Sequence, residues 1–511
     1  MQTRVRRQLR FFQTQIERRL ERENKNSADD GRPVLRGTGA VYEIASRVRA
    51  VAAGGIALIH RMVQAVRLDE AIDERVHLLK VHQPYHESDH VTNIAYNLLA
   101  GGECLEDLEL LRNDEHYLDM LGARRIPDPT TAGDFCRRFT SGCQIDALQH
   151  AINESRLRVW SMQPDEFFEH ALIDADGSIV EASDCTEGAD FSRKGTFGFH
   201  PLIVSLANTQ EVLFLENRSG ARQSHEGATA RLDQAVELVR RAGFRSVTLR
   251  GDTDFSQTRF LDGWDGQDVK FVFGYDAREN LVVKADSLPE SAWSLLQRRK
   301  RYEIRTEPRT RPMNVRERVV VEREYHNIHL VHEHVAEFDY APTACDKAYR
   351  MVVVRKLLSH EKGQKLLFPE TRYFFYITNK RNISAREVVR FSNTRCDQER
   401  LIGQLKSGVH SLRSPLDNLH SNWAYMVIAT LASSLAKWFA LLLPETGRWH
   451  EKHADEKAAV LSMNFRTFVS AFMRVPAQVV STARRVVLRL LAWNPWQHIF
   501  LRALDSVRAI S

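Results

Sequence analysis

The sequence of 511 residues predicts an α/β protein, with a mixed-sheet core, a β-rich insertion, and helical regions at both ends. Three observations predict it. Between residues 166 and 279, short apolar runs alternate with helix-period segments. Between 280 and 370 the pattern changes to period-two alternation, as in VRERVVVE and IHLVHEHV. Before 165 and after 420 the apolar residues recur at helical spacing.

Taken in order, residues 1–40 are a basic arm and linker. Residues 1–22 read as a basic helix with Phe11, Phe12, Ile16 and Leu20 on a partial apolar stripe, and 23–39 as a polar linker containing Gly and Pro. Residues 41–165 read as a helical region suited to DNA binding. In it the segment PTTAGDFCRRF opens a helix with Thr130 or Thr131 as N-cap. Residues 166–279 form the first part of the core. ALIDADGSIV is an apolar run turning acidic, PLIVSLA and EVLFLEN are a hairpin around Asn208-Thr209-Gln210, and GATARLDQAVELVRRA is an amphipathic helix stopped by Gly243. SVTLRGD and VKFVFG are two further strands. Residues 280–370 are the insertion, and 371–420 return to the core with the strand YFFYITN and two helices. Residues 421–511 read as helical, and basic from 463 onward.

The formal net charge of +6 hides strong patterning. Residues 1–22 carry net +5, 298–323 net +6 and 463–489 net +5, whereas 164–190 hold nine acids and no Lys or Arg. Basic patches suit a polyanion, most simply nucleic acid, and an acidic centre suits a cation. The six cysteines include no C-x-x-C pair, which disfavours a zinc knuckle and fits a reduced, cytoplasmic setting. The arginines at the start leave no apolar run for a signal peptide. The apolar stretch 424–443 contains Ser433, Ser434 and Lys437, so it reads as a buried helix and no membrane partner is expected.

Three places concentrate acids. Asp174 and Asp176 follow an apolar run and, on a strand, share a face. Asp252 sits at the end of SVTLRG, and Glu399 lies in TRCDQERLIGQLKSG, where Arg395, Glu399 and Lys406 share a helix face. Acids at strand ends of an open α/β sheet line the crevice where ligands bind. Carboxylates alone favour hard cations, Mg²⁺ or Mn²⁺. Two such ions activate water and stabilise the leaving oxygen in phosphodiester cleavage.

The stretches IDADGSIVEA, GFHPLIVSLA, NRSGARQSHEGA, LRGDTDFS, YITN and TRCDQERLIGQLKSG resemble bacterial insertion-sequence transposases of the DDE type, closest to the insertion-sequence 1380 group. Arg395, Glu399 and Lys406 match the spacing of that family's Y-(2)-R-(3)-E-(6)-K signature; the tyrosine position holds Ser392, with Phe391 beside it. The resemblance implies a ribonuclease H-like catalytic core. It implies that Asp176, Asp252 and Glu399 are the catalytic acids and ligands of two Mg²⁺ (or Mn²⁺), with Asp174 as the alternative first acid. It implies that Arg395 and Lys406 contact phosphates near the cleaved bond, and that the insertion helps hold the transposon end.

The expected function is transposition: cutting of element ends and joining to target DNA. The rivals are an endonuclease that does not join and an inactive DNA-binding derivative. The expected partner is double-stranded DNA, both terminal inverted repeats and target, with a homodimer in the synaptic complex and a bacterial, nucleoid-associated location. Further DNA contacts are assigned to Arg298, Arg299, Lys300 and Arg301, and to Trp293 as a base-stacking ring, against the simpler reading of a packing Trp. His326, His329, His332 and His334 could bind a metal only if strand alternation did not turn His329 away.

Overall fold

The computed structural model describes residues 2–26, 40, 42, 48–82, 84–297, 326–362, 365–366, 370–482, 485–491 and 493–510. The basic arm forms one helix, Gln2–Asn26. Strand β1 (Ala50–Val51) precedes a helical layer whose longer members are Ile56–Ala65, Glu87–Ala100, Pro129–Arg137 and Gly142–Trp160. The N-cap of the third is Asp128, not Thr130 or Thr131: its side chain accepts from the Thr131 N–H at 2.8 Å. Pro129 explains the shift, because its fixed φ and missing N–H suit the first helical position.

The core begins at β2 (His170–Gly177). A small flap follows, made of β3 (Val180–Glu181), β4 (Asp190–Phe191) and β5 (Phe197–Phe199) in the order β3-β5-β4. Next come the hairpin β6 (Leu202–Leu206) and β7 (Glu211–Glu216), the helix Ala228–Ala242 ending on left-handed Gly243, and the strands β8 (Ser246–Gly251) and β9 (Val269–Tyr275). The order in space is β7-β6-β2-β8-β9. The first three strands run antiparallel, whereas β2, β8 and β9 run parallel. A parallel step needs a crossover, and Ala228–Ala242 supplies it between β7 and β8. This is the ribonuclease H-like arrangement that the resemblance implies.

The sheet does not stop there. After β10 (Ser294–Leu295), the long strands β11 (His326–Tyr340) and β12 (Tyr349–Lys362) form an antiparallel ribbon, with β13 (Lys365–Leu366) paired to β12. Strand β14 (Glu370–Thr378) joins that ribbon to β9, antiparallel to both neighbours. The β-rich segment therefore continues the core sheet.

The helix Leu419–Leu441 is long and apolar enough to cross a membrane, but its apolar window lies wholly inside the protein. It packs on β7 and on the helices Glu87–Ala100 and Gly142–Trp160, and this all-round contact explains an apolar surface without a single stripe. The C-terminal flank is otherwise mostly helical, including His450–Leu461 and Gln497–Ile510. One expectation fails within it. Residues 463–489, read as helical, carry the hairpin β15 (Ala477–Thr482) and β16 (Arg485–Leu490), with β15 paired to β1. Pro476 blocks helix continuation, and the Val479-Val480 and Val486-Val487 pairs favour strands. Ala477 and Val479 face the core while Arg485 and Arg489 face solvent.

One buried ionic group ties the helical layer to the sheet. Glu211, at the start of β7, is fully buried and accepts four hydrogen bonds: Arg156 Nε at 3.0 Å, Trp438 Nε1 at 2.8 Å, Trp160 Nε1 at 3.0 Å and Thr209 Oγ1 at 2.7 Å. The Arg156 guanidinium also donates to the Val212 carbonyl at 2.7 Å and to the Asn153 side chain. A buried ion pair survives only when its remaining donors and acceptors are met, as these are.

Candidate active site

The acids meet at the C-terminal ends of β2 and β8. Strand alternation puts Asp174 and Asp176 on one face of β2, but two residues separate very different surroundings. Asp174 is buried and bound by both arms of Arg250, Nε to Oδ1 and Nη2 to Oδ2, each at 2.7 Å. The same guanidinium donates to the Phe391 carbonyl at 2.8 Å and to Thr394 Oγ1, and lies over the Phe391 ring at 5.0 Å. Burial pushes the Asp174 carboxyl above its ordinary range, opposed by the two Arg250 hydrogen bonds. This clamp joins β2, β8 and the segment that leads into the Cys396–Ser407 helix.

Asp176 ends in the cleft. Its side chain is 17% exposed, its Oδ1 accepts from the Gly177 N–H at 2.8 Å, and its Oδ2 lies 3.1 Å from Arg395 Nη1. Burial raises its carboxyl to about 6; Arg395 opposes this, while Asp252 and Glu399 add to it. Gly177 gives the chain room here, because a Cβ would lie 2.6 Å from His200 Nε2. His200 is itself held by a contact of 2.9 Å from Nδ1 to the Arg222 carbonyl.

Asp252 caps the turn Thr253–Phe255 by accepting from the Asp254 N–H at 3.0 Å. The preceding Gly251 admits that turn, since a Cβ would sit 2.6 Å from the Phe255 Cβ. The Asp252 side chain is 37% exposed and its Oδ2 lies 4.0 Å from the same Arg395 Nη1. Burial raises this carboxyl too; Arg395 is the strongest opposing influence, and Asp254 raises it further.

Glu399 is exposed on the helix Cys396–Ser407, one turn after Arg395. Its position is set by its neighbour Gln398, buried against β6, which accepts from Ser205 Oγ and donates to the Ile203 carbonyl at 3.3 Å. Glu399 is near enough to raise Asp176. Among the described residues no three His, Cys, Asp or Glu side chains form a preformed metal cage. The donor chemistry nevertheless suits a hard cation: Asp176 and Asp252 offer carboxylate oxygen to one position, which the Arg395 nitrogen shares.

The remaining candidates divide. Lys406 Nζ donates to the Ile179 carbonyl at 2.8 Å, at the base of the flap. Burial, and then Lys194, lower its ammonium. Trp293 is a packed residue, 9% exposed, with the Arg355 guanidinium 4.3 Å from its ring centre and Tyr373 beside it. Arg355 covers its ring, which favours the packing role over base stacking. Arg298, Arg299, Lys300 and Arg301 lie outside the described residues, as do the side chains of His326 and His329. His332 and His334 meet edge to face at 4.8 Å.

Sequence reasoning passed over three groups. Arg250 and Gln398 carry no motif signal of their own, because their partners lie far away along the chain. Phe191 had one, in the aromatic and basic interleaving of FSRKGTFGF. It is 63% exposed on β4, meets Phe197 at 5.2 Å, and precedes Arg193 and Lys194 in the flap turn.

The family profile described as transposase DDE domain group 1 matches residues 48–511. The chain belongs to that family. It is thus a DDE-type transposase, an enzyme of DNA transposition, and the family uses divalent metal ions. No curated protein matches it. A solved structure, titled a cryo-EM structure of a piggyBac transposase synaptic complex with hairpin DNA, is similar at 9% identity and TM-score 0.34, over 83% of this transposase and 82% of that chain.

Proposed function

We propose that this transposase cuts the ends of a mobile DNA element and joins them to target DNA, with Asp176, Asp252 and Glu399 as its catalytic acids. The observation that carries this reading is the convergence of Asp176 and Asp252 on one cationic nitrogen, at 3.1 and 4.0 Å, with Glu399 within electrostatic reach. Bonding of Asp174 to Arg250 supports Asp176 over Asp174 as the first acid. Both Asp174 oxygens are committed to Arg250, so it is a positioning residue for the clamp.

Two divalent ions, Mg²⁺ or Mn²⁺, would supply Lewis-acid activation of water and stabilise the leaving oxygen. The chain's residues do the rest. Asp176 and Asp252 project from neighbouring parallel strands and fix two of the three carboxylates. Gln398 and the Arg250 clamp set the helix that brings Glu399 over them. Lys406 and Arg395, at the motif spacing, would contact phosphate oxygens of the scissile strand. Arg193, Lys194 and Phe191 on the flap extend that surface, and the basic arm adds sequence-independent phosphate contacts. Two ends must be held together, so the working unit is a homodimer on DNA. Membership of the insertion-sequence 1380 group follows from the same motifs.

The test is a metal-dependent assay on a duplex containing the element's end, scoring both nicks and joined product. Wild type should give both, and Asp252→Asn and Glu399→Gln should give neither while still binding the end. Full cleavage by either variant overturns the assignment.

A further inference from the structure

Arg395 is assigned to a DNA phosphate by its motif, yet its guanidinium lies among the acids, within 4.0 Å of both Asp176 and Asp252. It is the largest attraction acting on either carboxyl. A divalent cation would seek the same oxygens. Two cations cannot share them without strong like-charge repulsion in a half-buried cleft. Arg395 also sits at the joint between the helices Ala385–Asn393 and Cys396–Ser407, and a long side chain there can turn from the acids toward the cleft mouth without moving either helix.

We propose that Arg395 is a displaceable counter-ion: it holds Asp176 and Asp252 together in the free protein, keeps their affinity for divalent metal low, and releases them when DNA phosphate draws it away. Metal and DNA then bind cooperatively. Each raises the other's affinity by the same factor, as linkage requires. The arrangement would leave the nuclease poorly loaded until substrate is in place. Glu399, exposed and without an ion pair among the described residues, is free to close on the ligands at that moment. The inference rests on the reading of Asp176 and Asp252 as metal ligands.

The experiment measures Mn²⁺ binding to the full chain by the loss of free-ion electron paramagnetic resonance signal, for wild type, Arg395→Gln, Arg395→Lys and Asp176→Asn. The expected result is Mn²⁺ binding about tenfold tighter in Arg395→Gln than in wild type, with Arg395→Lys close to wild type. Arg395→Gln should also melt at lower temperature without metal and gain more from added Mn²⁺. Equal or weaker binding by Arg395→Gln, with binding still abolished by Asp176→Asn, overturns the counter-ion while leaving the metal site standing. Binding that Asp176→Asn leaves intact overturns the metal reading itself. A second measurement needs no variant. A short random-sequence duplex, corrected for the Mn²⁺ it binds alone, should tighten wild-type Mn²⁺ binding by about tenfold; no change overturns the coupling.

Discussion

Glu211 and Asp176 are both carboxylates on the core sheet, two strands apart, and they are treated in opposite ways. Glu211 is enclosed by four donors, one of them a guanidinium. Asp176 has one backbone N–H and one arginine, and faces Asp252 and Glu399. The first arrangement satisfies a buried charge and so binds layers together. The second leaves lone pairs and negative charge uncompensated, and that is the property a cation site needs. Strained or poorly satisfied polar groups persist where function requires them, at some cost to stability. Asp174 belongs with Glu211, although it lies two residues from Asp176 and in the same motif.

The sharpest way to break this contrast is to neutralise each acid. Asp176→Asn and Asp252→Asn should lower end cleavage by about 10³-fold or more, since removing preorganised charge stabilisation at a reacting centre has effects of that order. Both proteins should remain folded by circular dichroism. Appreciable cleavage by either, or loss of fold in both, would place these acids with Glu211.

Glu211→Gln should do the reverse. It strands the buried Arg156 charge, and breaking one half of a buried pair costs about 3–5 kcal/mol. A lower thermal midpoint with end binding and cleavage kept at permissive temperature is the expected outcome. An unchanged midpoint would show that the four hydrogen bonds are replaceable.

A third prediction sets Asp176 against its own burial. Its carboxyl is raised from 3.8 to about 6 in the folded protein. The folded state therefore holds a proton that the unfolded chain releases between those values, and stability rises as pH falls through about 6. Without metal, Asp176→Asn should be more stable than wild type at neutral pH, by about 1–3 kcal/mol. The gap should close toward pH 4. A variant less stable than wild type at neutral pH would mean that the Arg395 pairing outweighs burial.

What could be read in advance was local. Strands β2, β6 to β9 and β14 announce themselves by apolar runs and turn residues, and the buried Leu419–Leu441 helix by its length and its few polar breaks. The acids came from the same local source, since DAD, RGD and the R-(3)-E-(6)-K spacing lie in short stretches. Two kinds of information were not local. The different surroundings of Asp174 and Asp176 depend on Arg250, 76 residues from Asp174. The C-terminal hairpin depends on β1, which gives β15 an edge to pair with at the far end of the chain. Arginine-rich segments hide such strands, because Arg is a good helix former and here decorates only the exposed face.

The aromatics extend the contrast at a smaller scale. Trp293 is packed and covered by Arg355, as Glu211 is enclosed by its donors; Phe191 is left open beside basic residues, as Asp176 is left open beside acids. Stacking of one aromatic on an unpaired base is worth about 1–3 kcal/mol. Phe191→Ala should therefore weaken binding of an end duplex carrying unpaired terminal bases by about fivefold or more, and leave a fully paired duplex nearly unaffected. Its thermal midpoint should stay within about 0.5 kcal/mol of wild type in stability terms, because an exposed ring contributes little to the core. Trp293→Phe keeps an aromatic ring in the packed site and should leave both duplexes bound as in wild type. Fluorescence anisotropy with the two duplexes separates the outcomes. If Trp293→Phe weakens the unpaired duplex and Phe191→Ala does not, then Arg355 leaves the Trp293 ring when DNA binds, and exposure in the free protein is a poor guide to which aromatic meets a base.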